Sequence, residues 1–323
     1  MFDIQKASAL IQREIDNLPL SKQPQNLYDP IRYLMNLGGK RLRPLLVILG
    51  SYLVNGKYED ILQPAVAVEV FHNFTLMHDD IMDNAPLRRG KATVHEKWNR
   101  NVAILSGDVM LVQAYGLMLD IEPNLLPKIL TLFNRCASEV CEGQQWDMDF
   151  ESLPTVSETQ YLDMIRLKTA VLLGFSLQLG ALLAGNEKVA TQLYSFGVNI
   201  GIGFQLKDDL LDVYGNAEKF GKQVGGDIIS NKKTFLLIKA LEKAKGEQAE
   251  KLNYWLSLKQ FDAAEKVNVI TEIYNQLKIR EITTSKMNEF FEKGFMELEQ
   301  INVSSERKKV LEDFTRSLID RDK

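Results

Sequence analysis

Residues 61–83, ILQPAVAVEVFHNFTLMHDDIMD, decide the fold, because they combine a long apolar segment with an acidic end. Apolar side chains fall on several sides of the predicted helix, which is typical of a central helix that is packed on most of its faces. Pro64 fits the first turn of this helix. The helical period recurs along most of the chain, whereas sustained alternation of apolar and polar residues is scarce. The sequence therefore predicts an all-α fold.

The composition favours one globular domain with a sizeable core. The chain has 323 residues, of which 45% are hydrophobic and 25% charged, and no Ser/Gly-rich linker divides it. We therefore expect a single domain over residues 1–323, with peripheral helices beyond about residue 240 that close the bundle. Capping boxes at Thr155–Glu158 and Asp262–Glu265 predict two helix starts. The net charge of −4 gives no sign of nucleic-acid binding, which relies on clustered positive charge.

The sequence disfavours both membrane insertion and a sulfur-rich metal site. The longest apolar segment, Ala170–Gly185, is interrupted by Ser176 and Gln178 and is shorter than the roughly 20 residues that cross a bilayer. We expect a buried core helix there, no stable membrane insertion and a cytoplasmic location. Two cysteines and three histidines are too few for a disulfide framework or a nitrogen- and sulfur-rich metal centre.

Two acidic clusters follow apolar helical segments: DDIMD at residues 79–83 recurs as DDLLD at residues 208–212. Carboxylates four residues apart lie on one helix face, where charges about 5 Å apart repel by roughly 3 kcal/mol at an effective dielectric of about 20. Mg²⁺ offsets such repulsion, because it prefers carboxylate oxygens, water and phosphates. A solvated helix end is the alternative, and it explains one such cluster more readily than two. The candidate ligands are Asp79, Asp80, Asp83, Asp208, Asp209 and Asp212.

Three basic groups could hold the phosphate oxygens of a diphosphate. A single basic run is compatible with solvated surface, but two of these groups follow an acidic cluster closely, which favours phosphate binding. The chain contains no GxxxxGK[ST] loop and no dinucleotide fingerprint, so metal and side chains must hold the phosphate. The groups are GGKRLRP at residues 38–44, with Lys40 and Arg43 about one helical turn apart, RRGK at residues 88–91, and Lys222, Lys232 and Lys233.

These motifs together resemble the trans-isoprenyl diphosphate synthase family, in particular its short-chain geranylgeranyl and farnesyl type. The resemblance extends from about residue 25 to beyond residue 240 and includes GGKRLRP, FHNFTLMHDDIMD, RRG, GQQWD, LKTA, GFQLKDDLLD, FGKQVGGD and NKKTF. The family implies a single-domain bundle of long helices around a central cavity, the isoprenoid synthase fold, and a homodimer. We expect the two sets of aspartates to face one another across that cavity.

The resemblance also implies a role for each matching residue. Asp79, Asp83 and Asp208 would bind magnesium, about three ions per active site, while the other three aspartates would act through metal-bound water. Allylic diphosphate would be held by Arg88, Lys168, Lys222 and Lys232. Isopentenyl diphosphate would be held by Lys40, Arg43, His72 and Arg89. Lys168, Thr169 and Gln205 would face the reacting carbons. Gln144 and Asp147 would support these three side chains without contacting the substrate.

The implied reaction is ionisation, condensation and elimination. An allylic diphosphate of C5 to C15 would lose pyrophosphate, the double bond of isopentenyl diphosphate would attack the allylic cation, and the departing pyrophosphate would accept the released proton. A non-catalytic regulatory subunit of a heteromeric prenyltransferase is an alternative, but both acidic clusters are intact. A terpene cyclase is another, against which the RRG motif and the second DDxxD argue.

Product length is expected to depend on residues upstream of Asp79. Phe74 lies five residues before Asp79, and in the resembled family an aromatic residue there goes with short products. With Phe71 and Thr75 it would form the floor of the cavity that receives the growing tail. We therefore expect a C15 to C20 product, with C20 slightly favoured and a longer polyprenyl chain as the alternative.

Overall fold

The helical periodicity of the sequence corresponds to helices in a computed structural model, which describes residues 2–215 and 225–320. The prediction of an all-α fold is confirmed, with one short antiparallel hairpin in the described part of the chain. The contacts group into two compact units. Unit 1 comprises Met1–Arg135, Leu173–Tyr194 and Ile301–Glu312, and unit 2 comprises Cys136–Leu172, Ser195–Gln300 and Asp313–Lys323.

The described elements are as follows in chain order. The first part contains α1 (Ile4–Asp16), α2 (Gln25–Met35), α3 (Leu42–Asn55), a 3₁₀ turn (Glu59–Ile61), α4 (Leu62–Met82), β1 (Leu87–Arg88), β2 (Lys91–Ala92), α5 (Val94–Lys97) and α6 (Arg100–Met118). The middle part contains α7 (Leu126–Ser152), α8 (Glu158–Ile165), a π-helical turn (Arg166–Ala170), α9 (Val171–Leu183) and α10 (Glu187–Tyr214). The last part contains α11 (Gly226–Ile229), α12 (Phe235–Lys243), α13 (Glu247–Ser257), α14 (Ala263–Gln276), α15 (Ile279–Gln300) and α16 (Ser305–Ile319).

Helix α4 is the central helix of unit 1. It packs against α1, α2, α3 and α6, and most of its apolar residues are buried, on several faces, as its sequence predicted. Pro64 lies in its first turn, where a missing N–H has no intrahelical partner to lose. The 21 residues of α4 bring the first acidic cluster to the carboxyl end of this buried helix.

Two helices of the described chain are long and apolar enough to cross a membrane by length and composition. They are Arg100–Met118 and the continuous helical stretch Glu158–Leu183. The apolar window of the second is 78% buried inside the protein, which is typical of a core helix. The expectation of a buried helix at Ala170–Gly185 is therefore confirmed, although the helix ends at Leu183.

The core of unit 2 forms where α12, α14 and α15 pack together. Helix α14 begins as predicted, since the Asp262 carboxylate accepts a hydrogen bond from the Glu265 N–H at 2.8 Å. The capping box predicted at Thr155 is wrong. Helix α8 is capped by Ser157, whose hydroxyl accepts from the Gln160 N–H while the Gln160 side chain accepts from the Ser157 N–H. A cap must lie immediately before the first helical residue, and Thr155 lies two residues too early.

Candidate active site

The first acidic cluster lies in the last turn of α4 and at its C-cap in unit 1. Asp80 is 3% exposed, Asp79 is partly exposed and Asp83, the C-cap residue, is exposed. The three carboxylates therefore have different surroundings. The middle one faces protein, and the outer two can meet solvent or an ion.

The β1–β2 hairpin brings Arg88 back to this cluster. Arg89 and Gly90, at its tip, both have positive φ, 53° and 72°, as a type I′ turn requires. The Arg88 guanidinium donates two hydrogen bonds to Asp80, Nε to Oδ2 at 2.8 Å and Nη2 to Oδ1 at 2.7 Å. Burial raises the pKa of Asp80, and Arg88 opposes that shift. The RRG motif thus orients a cation on the buried carboxylate of the first DDxxD.

The residues expected to bind isopentenyl diphosphate make two contacts in unit 1. Arg43 Nη1 donates to His72 Nε2 at 2.9 Å, and Arg89 donates to the Gly38 carbonyl. A Cβ on Gly39, whose φ is +128°, would lie 2.7 Å from the Arg89 guanidinium nitrogens, so glycine permits this approach. Burial, with the nearby guanidinium groups of Arg43 and Arg89, holds the pKa of His72 well below its usual range. His72 is therefore a neutral acceptor close to the guanidinium groups of Arg41, Arg43, Arg88 and Arg89.

Lys40 is not placed as the sequence suggested. Helix α3 begins at Leu42, so Lys40 lies before the helix and is not one helical turn from Arg43. The Lys40 side chain is exposed. The reason is the backbone at residues 38–41, where Gly38, Gly39 and Arg41 all have positive φ. This local conformation delays the start of the helix.

Sequence reasoning missed Arg41, which has a structural role in the same segment. Its side chain is buried and pairs with Glu69 of α4 at 2.9 Å, and it also donates to the Met35 carbonyl. Asn73 donates to the Glu69 carboxylate at 3.2 Å. A single acidic residue in the apolar α4 segment was the available signal, because a buried carboxylate needs a cation.

The second acidic cluster lies near the end of α10 in unit 2. Asp208 is exposed, Asp212 is partly exposed and Asp209 is 4% exposed. The Tyr161 hydroxyl donates to Asp209 Oδ2, and Gln205 Nε2 donates to Asp209 Oδ1 at 3.3 Å. Burial and the nearby Asp227 raise the pKa of Asp209 to about 8. As in the first cluster, the protein holds the middle aspartate; Tyr161 gave no signal in the sequence.

The π-helical turn Arg166–Ala170 carries Lys168 and Thr169. π-Helical turns are rare and occur frequently at functional sites. A Cβ on Gly143 of α7 would lie 2.2 Å from the Lys168 backbone nitrogen, so the glycine of the GQQWD motif lets α7 pack against this turn. The Thr169 hydroxyl donates to Gln205 Oε1 at 3.1 Å. The predicted catalytic residues Thr169 and Gln205 are therefore in contact.

Asp147 holds two lysines rather than Thr169 and Gln205. Lys168 Nζ lies 2.6 Å and Lys232 Nζ 3.4 Å from Asp147 Oδ2. Burial alone would raise the pKa of Asp147, but the ammonium groups of Lys232 and Lys168 outweigh it and the net shift is downward. Gln144 Nε2 is buried and has no hydrogen-bond partner among the described residues. Asp147 therefore fixes both described lysines that were expected to hold the allylic diphosphate.

The segment after the second cluster is tied back to α10. The Asp227 N–H donates to Asp212 Oδ2 at 3.0 Å, and the Gly225 N–H donates to the Asp212 carbonyl at 2.7 Å. Lys222, another predicted ligand of the allylic diphosphate, lies outside the described residues. These bonds to Asp212 hold the start of α11, and Lys232 lies three residues after the end of that helix.

The carboxylates of each cluster suit magnesium that also takes ligands from a substrate. Among residues 2–215 and 225–320, no three His, Cys, Asp or Glu side chains come close enough to form a metal site by themselves. Magnesium needs no such cage, because it usually keeps several waters and is bound by one or two carboxylates together with substrate phosphates. Asp83 and Asp208 are exposed, and Asp79 and Asp212 are partly exposed.

The residues expected to limit product length lie on α4. Phe74 is 9% exposed, and its ring centroid is 5.7 Å from that of Phe71 and 4.8 Å from that of His78. Phe71 is fully buried and contacts Phe133 at 5.1 Å. The Thr75 hydroxyl donates to the His72 carbonyl at 2.8 Å. Phe74 thus connects Phe71 to His78, the residue before Asp79, in one aromatic cluster.

Comparisons with known proteins agree with the motifs. A model of the polyprenyl synthetase family matches residues 24–277. The geranylgeranyl diphosphate synthase of Methanosarcina mazei is 42% identical over 244 residues, which is 75% of each chain. The geranylgeranyl pyrophosphate synthase of Geoglobus acetivorans is 41% identical over 242 residues, 74% of this chain and 76% of its own. A crystal structure of a geranylgeranyl pyrophosphate synthase has a TM-score of 0.95 and 42% identity, with 99% of both chains covered.

Proposed function

The chain belongs to the polyprenyl synthetase family and is a trans-prenyltransferase, and from that premise we propose that its main product is the C20 geranylgeranyl diphosphate. The observation that carries this proposal is the position of Phe74. It lies five residues before Asp79, is nearly buried and is held by ring contacts on both sides. A fixed aromatic side chain at that position supports a short product. Two relatives of about 40% identity are named as geranylgeranyl synthases, which favours C20 over C15.

Magnesium is the cofactor that this donor set suits, and we assign it to Asp79, Asp83 and Asp208, about three ions per active site. When bound, magnesium acts as a Lewis acid that stabilises the charge on departing pyrophosphate. Asp80 and Asp209 are held by Arg88 and Tyr161. Both aspartates fix the helix ends and would act on bound magnesium only through water.

Basic side chains bind the two diphosphates. Arg88, Lys168 and Lys232 hold the allylic substrate together with Lys222. Lys40, Arg43, His72 and Arg89 hold isopentenyl diphosphate. The link from Arg43 to His72 supports this division, because a neutral imidazole fixes a guanidinium without neutralising it, so that its charge remains available for phosphate.

Oxygen atoms near the reacting carbons stabilise the allylic cation. The Thr169 hydroxyl donates a hydrogen bond to Gln205 Oε1, which leaves the hydroxyl lone pairs available. Fixed dipoles aimed at developing charge are effective in a site that excludes water. Asp147 holds the Lys168 and Lys232 ammonium groups, which receive the departing pyrophosphate.

The enzyme is a cytoplasmic homodimer in this proposal. The support is an apolar stripe on α6, where Leu105 is 59% exposed and Val112 70%, with the adjoining Leu119 at 62%. These residues are seven apart and lie on one helix face. Large exposed apolar side chains aligned in this way are typical of protein–protein interfaces.

Incubation with labelled isopentenyl diphosphate tests the function. Purified protein with Mg²⁺ and each allylic primer (C5, C10 or C15) is expected to accumulate a C20 product, measured by thin-layer chromatography after dephosphorylation. EDTA is expected to abolish turnover. A Lys168→Ala variant controls for contaminating activity, since it should lose turnover while it remains folded. A C30 or longer product would refute the C20 assignment, and absence of turnover with every primer would favour a regulatory subunit.

A further inference from the structure

Lys266 of α14 is a fully buried lysine in unit 2, with 0% of its surface exposed. Its ammonium group donates to the Ile229 carbonyl at 3.1 Å and to Asn231 Oδ1 at 2.6 Å, and it lies 4.1 Å from the centroid of the Phe261 ring. Burial lowers the pKa of Lys266. Lysine is almost never fully buried unless it is paired, because an unpaired buried charge is costly. The ammonium group here is paired with two uncharged oxygens of one short segment.

Asn231 joins that segment to a second helix. Its φ is +57°, and asparagine is among the few residues that adopt this left-handed conformation readily. Its Nδ2 donates to the Leu256 carbonyl of α13 at 3.1 Å, while its Oδ1 accepts from Lys266. One side chain therefore connects α13 and α14 to the end of α11. We call Lys266, Asn231 and the Ile229 carbonyl the Lys266 clamp.

The clamped segment carries a residue of the active site. Lys232 follows Asn231, its N–H donates to the Asp227 carbonyl at 2.9 Å, and its ammonium lies 3.4 Å from Asp147 Oδ2. At the other end of the segment, Asp212 of the second acidic cluster accepts from the Asp227 N–H. The segment is thus fixed on one side by the acidic cluster and on the other by the Lys266 clamp.

We propose that Lys266 is a positioning residue, which holds Ile229 and Asn231 so that Lys232 is directed to the allylic diphosphate. This inference rests on the proposed role of Lys232. A merely structural role explains the arrangement less well. An apolar side chain of similar volume often stabilises a buried site at least as well as a charge does. Only a donor at the end of a long side chain can bind both oxygens and set the path of the loop.

Lys266→Met tests the clamp, because it keeps the apolar stem and removes the donor. Hydrogen exchange of peptides that cover residues 226–234 should become faster, while exchange elsewhere in α14 stays near that of the wild type. The KM for the allylic diphosphate should rise about tenfold, the size typical for loss of a supporting contact behind a binding group. The KM for isopentenyl diphosphate should change much less. Lys259→Met, which alters an exposed lysine before α14, is the matched control and should change neither quantity.

A double-mutant cycle separates positioning from general destabilisation. If Lys266 acts through Lys232, the double variant Lys266→Met/Lys232→Ala should have the same KM for the allylic diphosphate as Lys232→Ala alone. Independent effects would multiply instead, and that result would overturn the proposal. Unchanged exchange of residues 226–234 in Lys266→Met would also overturn it.

Two further variants keep the outcomes distinguishable. If Lys266→Met does not fold, Asn231→Gly serves in its place, since glycine accepts the positive φ but removes both side-chain hydrogen bonds. It should reproduce the faster exchange and the raised KM, and wild-type values would contradict the clamp. If Lys232→Ala alone leaves the KM unchanged, the proposed role of Lys232 fails. The exchange measurement on Lys266→Met still decides whether the clamp exists.

Discussion

Phe74 is one side chain whose size can be tested against product length. It is 9% exposed, and its ring is held between those of Phe71 and His78. We expect Phe74→Ala to shift the product to longer chains by one or more five-carbon units. The variant removes the ring that limits the depth of the cavity, and it removes no phosphate contact. Thin-layer analysis of the dephosphorylated products measures the shift. Leu76→Ala, on the opposite side of α4, is the control. Unchanged chain length in Phe74→Ala would remove Phe74 from the floor.

His72 gives the protein a pH-dependent stability. Its folded-state pKa is well below 6.5, so it is neutral in the folded protein, whereas it binds a proton in the unfolded chain below about pH 6.5. The unfolded state then holds one more proton, and stability falls as the pH falls. This group contributes a loss of about 1.4 kcal/mol per pH unit below that point, until the folded pKa is reached. At higher pH it contributes no such loss.

Urea unfolding at pH values from about 7.5 to about 5.5 measures this dependence, a window above the usual titration of carboxylates. The slope of the unfolding free energy against pH should be smaller in His72→Gln than in the wild type. Equal slopes in the two proteins would show that the neutral imidazole does not contribute.

Arg41 and Arg43, two residues apart at the start of α3, have different partners. Arg41 forms a buried ion pair with Glu69, whereas Arg43 contacts the neutral His72. Arg41→Met should lower the free energy of unfolding by about 3–5 kcal/mol, because it leaves a buried carboxylate without its cation. Arg43→Met should change stability much less and raise the KM for isopentenyl diphosphate about tenfold or more. Chemical unfolding and steady-state kinetics on both variants measure these effects, and similar losses of stability would contradict the distinction.

The π-helical turn Arg166–Ala170 contacts two different helices through neighbouring residues. Lys168 and Thr169 are consecutive residues, yet Lys168 contacts Asp147 of α7 and Thr169 contacts Gln205 of α10. Gly143 gives the turn room against α7. Each motif was visible in the sequence, but the pairing of motifs was not, because these contacts join residues 21 and 36 positions apart.

The proposed dimer can be tested by a substitution in the apolar stripe on α6. Val112→Asp places a charge at the most exposed residue of the apolar stripe on α6, where Val112 is 70% exposed. We expect the variant to be a monomer by light scattering coupled to gel filtration, because an unpaired charge in an interface is costly. Tyr254→Asp, at a residue that is 59% exposed on α13, should leave the mass unchanged. A dimeric Val112→Asp protein would place the interface elsewhere.

The sequence by itself determined the fold class and the family, and it supplied the candidate residues of the site. Helical periodicity and local motifs depend on neighbours within a few positions along the chain, and the sequence displays these directly. It placed DDIMD and DDLLD at helix ends and put Pro64 in the first turn of α4, as observed.

Only the tertiary structure decided how these residues are held. It showed that Arg88 and Tyr161 hold the middle aspartates, that Asp147 binds two lysines, and that backbone conformation places Lys40 before α3. It also revealed Lys266, an isolated lysine in an ordinary amphipathic helix. The physical reason is that burial and hydrogen-bond partners depend on residues far apart in sequence, and these properties set the charge state and orientation of each side chain.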